Sequence, residues 1–119
     1  ELNPEHARTA RNKAKEKGLE NKVTFVEADV MDVNLSEASL VLCYLITAAS
    51  ASLKPKLEAE LKPGTRVVME SFPVPGWKPL ETKSREYKTY YLYRMPPELR
   101  GAETAVSQYP DAGYYDCYG

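Results

Sequence analysis

Two acids, Asp29 and Asp32, stand directly behind the alternating apolar run Val23-Thr24-Phe25-Val26, and a second apolar run, Ala38 to Ile46, begins six residues after Asp32. In an open α/β sheet, ligands bind in the crevice beyond the carboxyl ends of the strands. Carboxylates placed just past a strand can therefore accept hydrogen bonds from the polar edge of a nucleotide-like ligand. The pattern points to a cofactor pocket whose acidic wall lies between two parallel strands.

The elements that must position these acids are legible from spacing. Asn3-Pro4-Glu5 reads as a helix start, because Asn3 caps free N–H groups, Pro4 suits the first helical position and Glu5 complements the dipole. The helix is expected to reach about Lys17 and close at Gly18, with Ala7, Ala10 and Ala14 on its sheet face and Arg8, Arg11, Lys15 and Glu16 in water. A strand is expected over Val23–Val26. A second, Leu40–Leu45, has no polar alternation and reads as buried on both faces. Leu53, Leu57 and Leu61 recur every four residues and predict a helix over Leu53–Leu61, with Pro55 in its first turn or kinking it and Lys62-Pro63-Gly64 ending it. A third strand follows at Thr65–Ser71. Three prolines and a glycine within Phe72–Pro79 predict a rigid surface loop. Tyr87–Met95 then alternates β-favouring residues and is expected to return antiparallel. This alternation argues for an α/β fold with a parallel sheet and right-handed crossovers.

Composition narrows the function classes. The 119 residues suit one domain. A net charge of −1 with 28% charged residues supplies no basic field for nucleic acid. No apolar run approaches the roughly 20 residues of a spanning helix, and the charged start is no secretory signal, so no membrane insertion is expected and the chain reads as soluble and cytoplasmic. Cys43 lies in an apolar run and Cys117 in a polar tail, which argues against a disulfide framework. With one histidine, His6, reading as a solvated helix residue, and no Cys-x-x-Cys pair, no structural metal is expected.

Five stretches carry a resemblance: Glu1-Leu2-Asn3-Pro4-Glu5, Glu27-Ala28-Asp29-Val30-Met31-Asp32, Leu42-Cys43-Tyr44-Leu45, Leu61-Lys62-Pro63-Gly64-Thr65-Arg66-Val67-Val68, and Phe72-Pro73-Val74-Pro75-Gly76-Trp77-Lys78-Pro79. On these the chain resembles the class I S-adenosylmethionine-dependent methyltransferases. Within them it is similar to the small archaeal protein-lysine methyltransferases and to their relative acting on the mitochondrial ATP synthase c-ring. The resemblance implies a Rossmann-like sheet of parallel strands with helices on both faces and an antiparallel strand near the C-terminal edge. The family's first strand and Gly-rich loop precede the position of Glu1 and have no counterpart here. Residues 1–99 then form a partial methyltransferase domain, and residues 100–119 a tyrosine-rich, flexible extension.

Site roles follow from the same resemblance. Glu1 matches the acid that accepts hydrogen bonds from both ribose hydroxyls of S-adenosylmethionine, Asp29 the acid that receives the adenine amino group, and Val30 lines the ring's edge. Tyr44, Phe72 and Trp77 are candidates for an acceptor-lysine channel. An apolar, aromatic-lined channel lowers an amine's pKa and tolerates the methylated cation. The alternative for Tyr44 and Phe72 is ordinary core, and for Trp77 a loop anchor. The implied partner is a protein with exposed lysines. Three readings follow: part of a methyltransferase whose sheet an upstream segment completes; an engineered or rearranged chain whose first strand the tail or a second chain supplies; and a non-catalytic binding module using its tyrosine-rich surface.

Overall fold

The chain's start behaves as its chemistry requires. In the computed structural model, which describes residues 1–100, helix α1 spans Pro4–Glu16, and the Asn3 side chain accepts from the Glu5 N–H at 3.0 Å. Ala7 and Ala14 are buried, and Gly18 closes the helix at a φ of 70°, a region that costs glycine nothing. The structure divides into two units, one of residues Glu1–Asn34 and one beginning at Leu35, described in turn. The expected extension beyond residue 100 lies outside the described residues.

Within the first unit, Val23–Val26 is not a strand. A strand exists through ladder bonds to a neighbour. In place of a ladder, the Glu1 nitrogen donates to the Val26 carbonyl at 3.0 Å. Arg11 is exposed, as expected, and also ties α1 to the same segment: its Nη1 meets Glu27 Oε1 at 2.7 Å and its Nη2 donates to the Phe25 carbonyl at 2.9 Å. Val30–Asp32 forms one 3₁₀ turn, capped by Asp29, whose Oδ1 accepts from the Met31 N–H at 2.9 Å.

The second unit is built on a four-stranded sheet in the order β1-β2-β5-β4, where β1 is Leu40–Cys43, β2 Arg66–Glu70, β4 Glu81–Arg85 and β5 Lys88–Arg94. β1 and β2 are parallel, and β5 lies antiparallel to both β2 and β4. Helix α2, Thr47–Glu60, makes the crossover between β1 and β2. Short strands β3, Trp77–Lys78, and β6, Glu98–Leu99, pair separately. This is a Rossmann-like methyltransferase sheet of mixed direction, as the resemblance implied. Leu53 and Leu57 from α2, Val67 and Met69 from β2, and Val74, Trp77 and Tyr93 form a core on one face, with Val41, Cys43 and Tyr91 packed at its margin. Burial pushes the Cys43 thiol pKa up.

Three expectations are corrected here. β1 is not buried on both faces: Val41 and Cys43 turn inward, whereas Leu42 on the other face is 68% exposed. Helix α2 starts six residues before Leu53, at Thr47, so Pro55 lies inside it and not in its first turn. The serines that hide this start fit the helix by bonding back to it, Ser50 Oγ to the Ile46 carbonyl and Ser52 Oγ to the Ala48 carbonyl, both at 3.1 Å. Finally, Phe72–Pro79 is no surface loop, because Phe72, Pro73, Val74 and Trp77 are buried. Prolines make this burial feasible. Pro73 and Pro75 bring no N–H to satisfy, while Phe72 donates to the Glu70 carbonyl, Val74 to Tyr93 and Trp77 to the Val74 carbonyl.

Candidate functional site

The residues assigned to the cofactor side lie in the first unit. Glu1 Oε1 accepts from the Asn3 N–H at 2.9 Å and lies 3.9 Å from His6 Nδ1. The Asn3 hydrogen bond is the main cause holding the Glu1 carboxyl below its usual pKa, assisted by His6 and the Leu2 N–H. Glu1 thus presents an acceptor carboxylate at the start of α1. Asp29, an exposed residue, commits Oδ1 to the Met31 N–H, which fixes the carboxylate's direction. Val30 and Met31, exposed at 41% and 46%, place apolar surface beside it.

The aromatic candidates lie in the second unit, and the structure separates them. Tyr44 follows β1 and Phe72 follows β2, so both sit at the carboxyl ends of the parallel pair, with ring centroids 6.2 Å apart. Phe72 is buried and Tyr44 is 64% exposed, making one apolar surface with an open rim. Trp77 does not join them. It has no exposed surface, meets Tyr93 edge-on at 5.3 Å, and its Nε1 donates to Glu58 Oε1 at 2.9 Å. The loop-anchor alternative describes this geometry, and an acceptor channel lined by Trp77 does not.

Sequence reasoning missed the groups that hold this loop. Tyr93 gives its hydroxyl oxygen to the buried Val74 N–H at 3.0 Å. Its alternation placed it on a face without revealing that partner. Nothing in the spacing of Glu58 signalled an indole partner. Lys88 Nζ meets Glu70 Oε1 at 3.0 Å, tying β5 to the end of β2 beside Phe72. Thr47 Oγ1, at the start of α2 three residues past Tyr44, is buried without a hydrogen bond.

Tyr93 makes a pH prediction. Burial pushes its phenol pKa up to about 12 from 10.0, with the Val74 hydrogen bond opposing. The fold holds the neutral phenol, so this stabilisation is complete below pH 10 and is lost as pH rises through about 12. The loss is on the order of 2–3 kcal/mol. Unfolding free energies measured across that range are expected to fall more steeply for the wild type than for Tyr93→Phe, which starts lower because the Val74 N–H loses its acceptor. Parallel curves would remove Tyr93 from the alkaline transition.

Fold and site together define a methyltransferase domain. The family model of the ANTKMT methyltransferase domain matches residues 1–83, and the chain belongs to that family. It is 40% identical over 97 residues to a protein-lysine N-methyltransferase of Saccharolobus islandicus (strain REY15A), covering 78% of this chain and 60% of that protein. It is 36% identical over 107 residues to the adenine nucleotide translocase lysine N-methyltransferase of Mus musculus, covering 90% and 45%. Among solved structures, it is similar to the RNA methyltransferase from Salinibacter ruber in complex with S-adenosyl-L-homocysteine, with a TM-score of 0.79 and 35% identity over 84% of this chain and 65% of that one. The chain therefore spans about 60% or less of these curated relatives' length. Among the described residues no helix is long and apolar enough to cross a membrane.

Proposed function

We propose that the chain is part of an S-adenosylmethionine-dependent methyltransferase acting on protein lysine side chains, and that it supplies the nucleoside-binding acids and the aromatic acceptor surface. The observation that carries this reading is the Tyr44–Phe72 pair at the carboxyl ends of the parallel strands, in a chain whose curated relatives are named for lysine methylation.

The residues present fit the cofactor. The Glu1 carboxylate can accept from a vicinal diol, Asp29 from an exocyclic amine, and Val30 offers apolar surface to a flat base. When bound, S-adenosylmethionine supplies a methyl group activated by its sulfonium. A lysine must lose its proton before it can attack, and the Tyr44 and Phe72 rings lower the amine's pKa by excluding water. The same rings accept the alkylated ammonium through their faces. Trp77, in this reading, holds the loop that carries Phe72 instead of touching the lysine.

Methyl transfer from radiolabelled S-adenosylmethionine to a lysine-bearing protein, followed by mass mapping of the modified side chain, tests the proposal. Label on lysine Nε is expected; label in RNA, or cofactor binding with no lysine product, overturns it. On the cofactor side, Asp29→Ala is expected to weaken S-adenosylmethionine binding by about 1–3 kcal/mol, roughly 5- to 150-fold. Asp29→Asn keeps an acceptor for the Met31 N–H, so it separates loss of the turn cap from loss of the charge. Titration calorimetry with an unchanged dissociation constant in both variants would take Asp29 out of the site.

A further inference from the structure

The turn joining β4 to β5 is built against its own preference. Arg85 and Lys88 are the last paired residues, leaving Glu86 and Tyr87 as a two-residue loop with φ of 52° and 67°. Such loops need φ above zero at both positions and favour Asn-Gly, because a Cβ is unfavourable there. No packing compensates: Tyr87 is 109% exposed. A bulky residue kept in a strained, unsupported position points to a role outside the fold.

The position of the turn indicates that role. Glu70, the last residue of β2, pairs with Tyr90, and the Ser71 N–H donates to the Thr89 carbonyl at 2.7 Å. Arg85–Lys88 therefore extends past the carboxyl ends of the parallel strands, the end that carries Tyr44 and Phe72. Lys88 is clamped to Glu70 and lies within electrostatic reach of Tyr44.

We propose that this hairpin tip, with Tyr87 as its anchor, docks the polypeptide that carries the acceptor lysine; the assignment rests on the protein-lysine reading above. Tyrosine gives a large, rigid contact at low entropic cost. Glu86 and Arg85 balance each other's charge at the tip, so the contact with the polypeptide rests on the exposed Tyr87 ring. Lys83 and Lys88 are engaged by Glu81 and Glu70, and Arg85 stands beside Glu86, so the hairpin carries balanced charge and shows no net basic patch to a nucleic acid.

Tyr87→Gly tests this, because glycine suits the turn and leaves the fold as stable or more so. The probe is fluorescently labelled, reduced and carboxymethylated α-lactalbumin, an unfolded lysine-bearing polypeptide. Anisotropy reads its binding to the full protein, and methyl incorporation reads its KM. The variant is expected to weaken binding by about fivefold or more and to raise the acceptor KM in step, with unchanged S-adenosylmethionine affinity and a melting temperature no lower than wild type. Tyr87→Phe is expected to rescue both. Unchanged binding by Tyr87→Gly, no binding by the wild type, or Tyr87-dependent binding of single-stranded RNA in place of the polypeptide would each overturn the proposal. Tyr87-dependent polypeptide binding without lysine methylation would support the docking surface and remove the protein-lysine reading on which its purpose rests.

Discussion

Trp77→Ala lowers the unfolding free energy by about 3–5 kcal/mol, the range for emptying a fully buried indole site. The cost has three sources: the edge-on contact with Tyr93, the cavity left between α2 and the sheet, and the bond from the indole N–H to Glu58. Trp77→Phe keeps most of the volume and loses only the last, so it should fall between wild type and alanine. Denaturant titration measures both. On the functional side, cofactor affinity and methyl transfer are expected to decline together as the folded fraction falls. Loss of methyl transfer alone, with unfolding energy intact, would restore Trp77 to the acceptor channel.

Leu53→Ala is the second large effect, about 2–5 kcal/mol, because Leu53 is 1% exposed and faces the inner side of the sheet from α2. Leu53→Met, which conserves volume, is expected to cost less than about 1.5 kcal/mol. The change also reaches the site, since α2 begins three residues past Tyr44 and the connecting Leu45 packs against the same core. Thermal unfolding of the two variants checks the stability difference. Equal melting temperatures would mean that α2 repacks around the gap.

What the sequence disclosed follows from how local each signal is. α1 is written in adjacent residues, an Asn-Pro-Glu start and a glycine stop, and it appears where expected. β2 and β5 carry apolar residues at alternate positions and pair in register. β4 carries none: Glu-Thr-Lys-Ser-Arg is exposed on both faces and is a strand only because β5 lies beside it. Val23–Val26 has the opposite history, a strand's alternation without a strand's partner. Spacing put Asp29 beside a cofactor pocket, whereas Glu1 and the role of each acid came from the resemblance, and their orientation depends on backbone N–H groups that no side-chain pattern reveals. Trp77 illustrates the limit well. Proline-rich sequence argues for a loop, but only the partners Tyr93 and Glu58, both far along the chain, decide that the loop is buried.

The two margins of the main sheet have unlike chemistry. β4 ends it with Glu81, Lys83 and Arg85, charges of the kind that stop one sheet from joining another. β1 ends it with Leu-Val-Leu-Cys, and among the described residues its far side has no strand paired to it. As a growing lattice has an active face and a poisoned one, this sheet is terminated at β4 and open to growth at β1. An extended segment reaching that margin would find an apolar seat in Leu40 and Leu42, exposed at 47% and 68%.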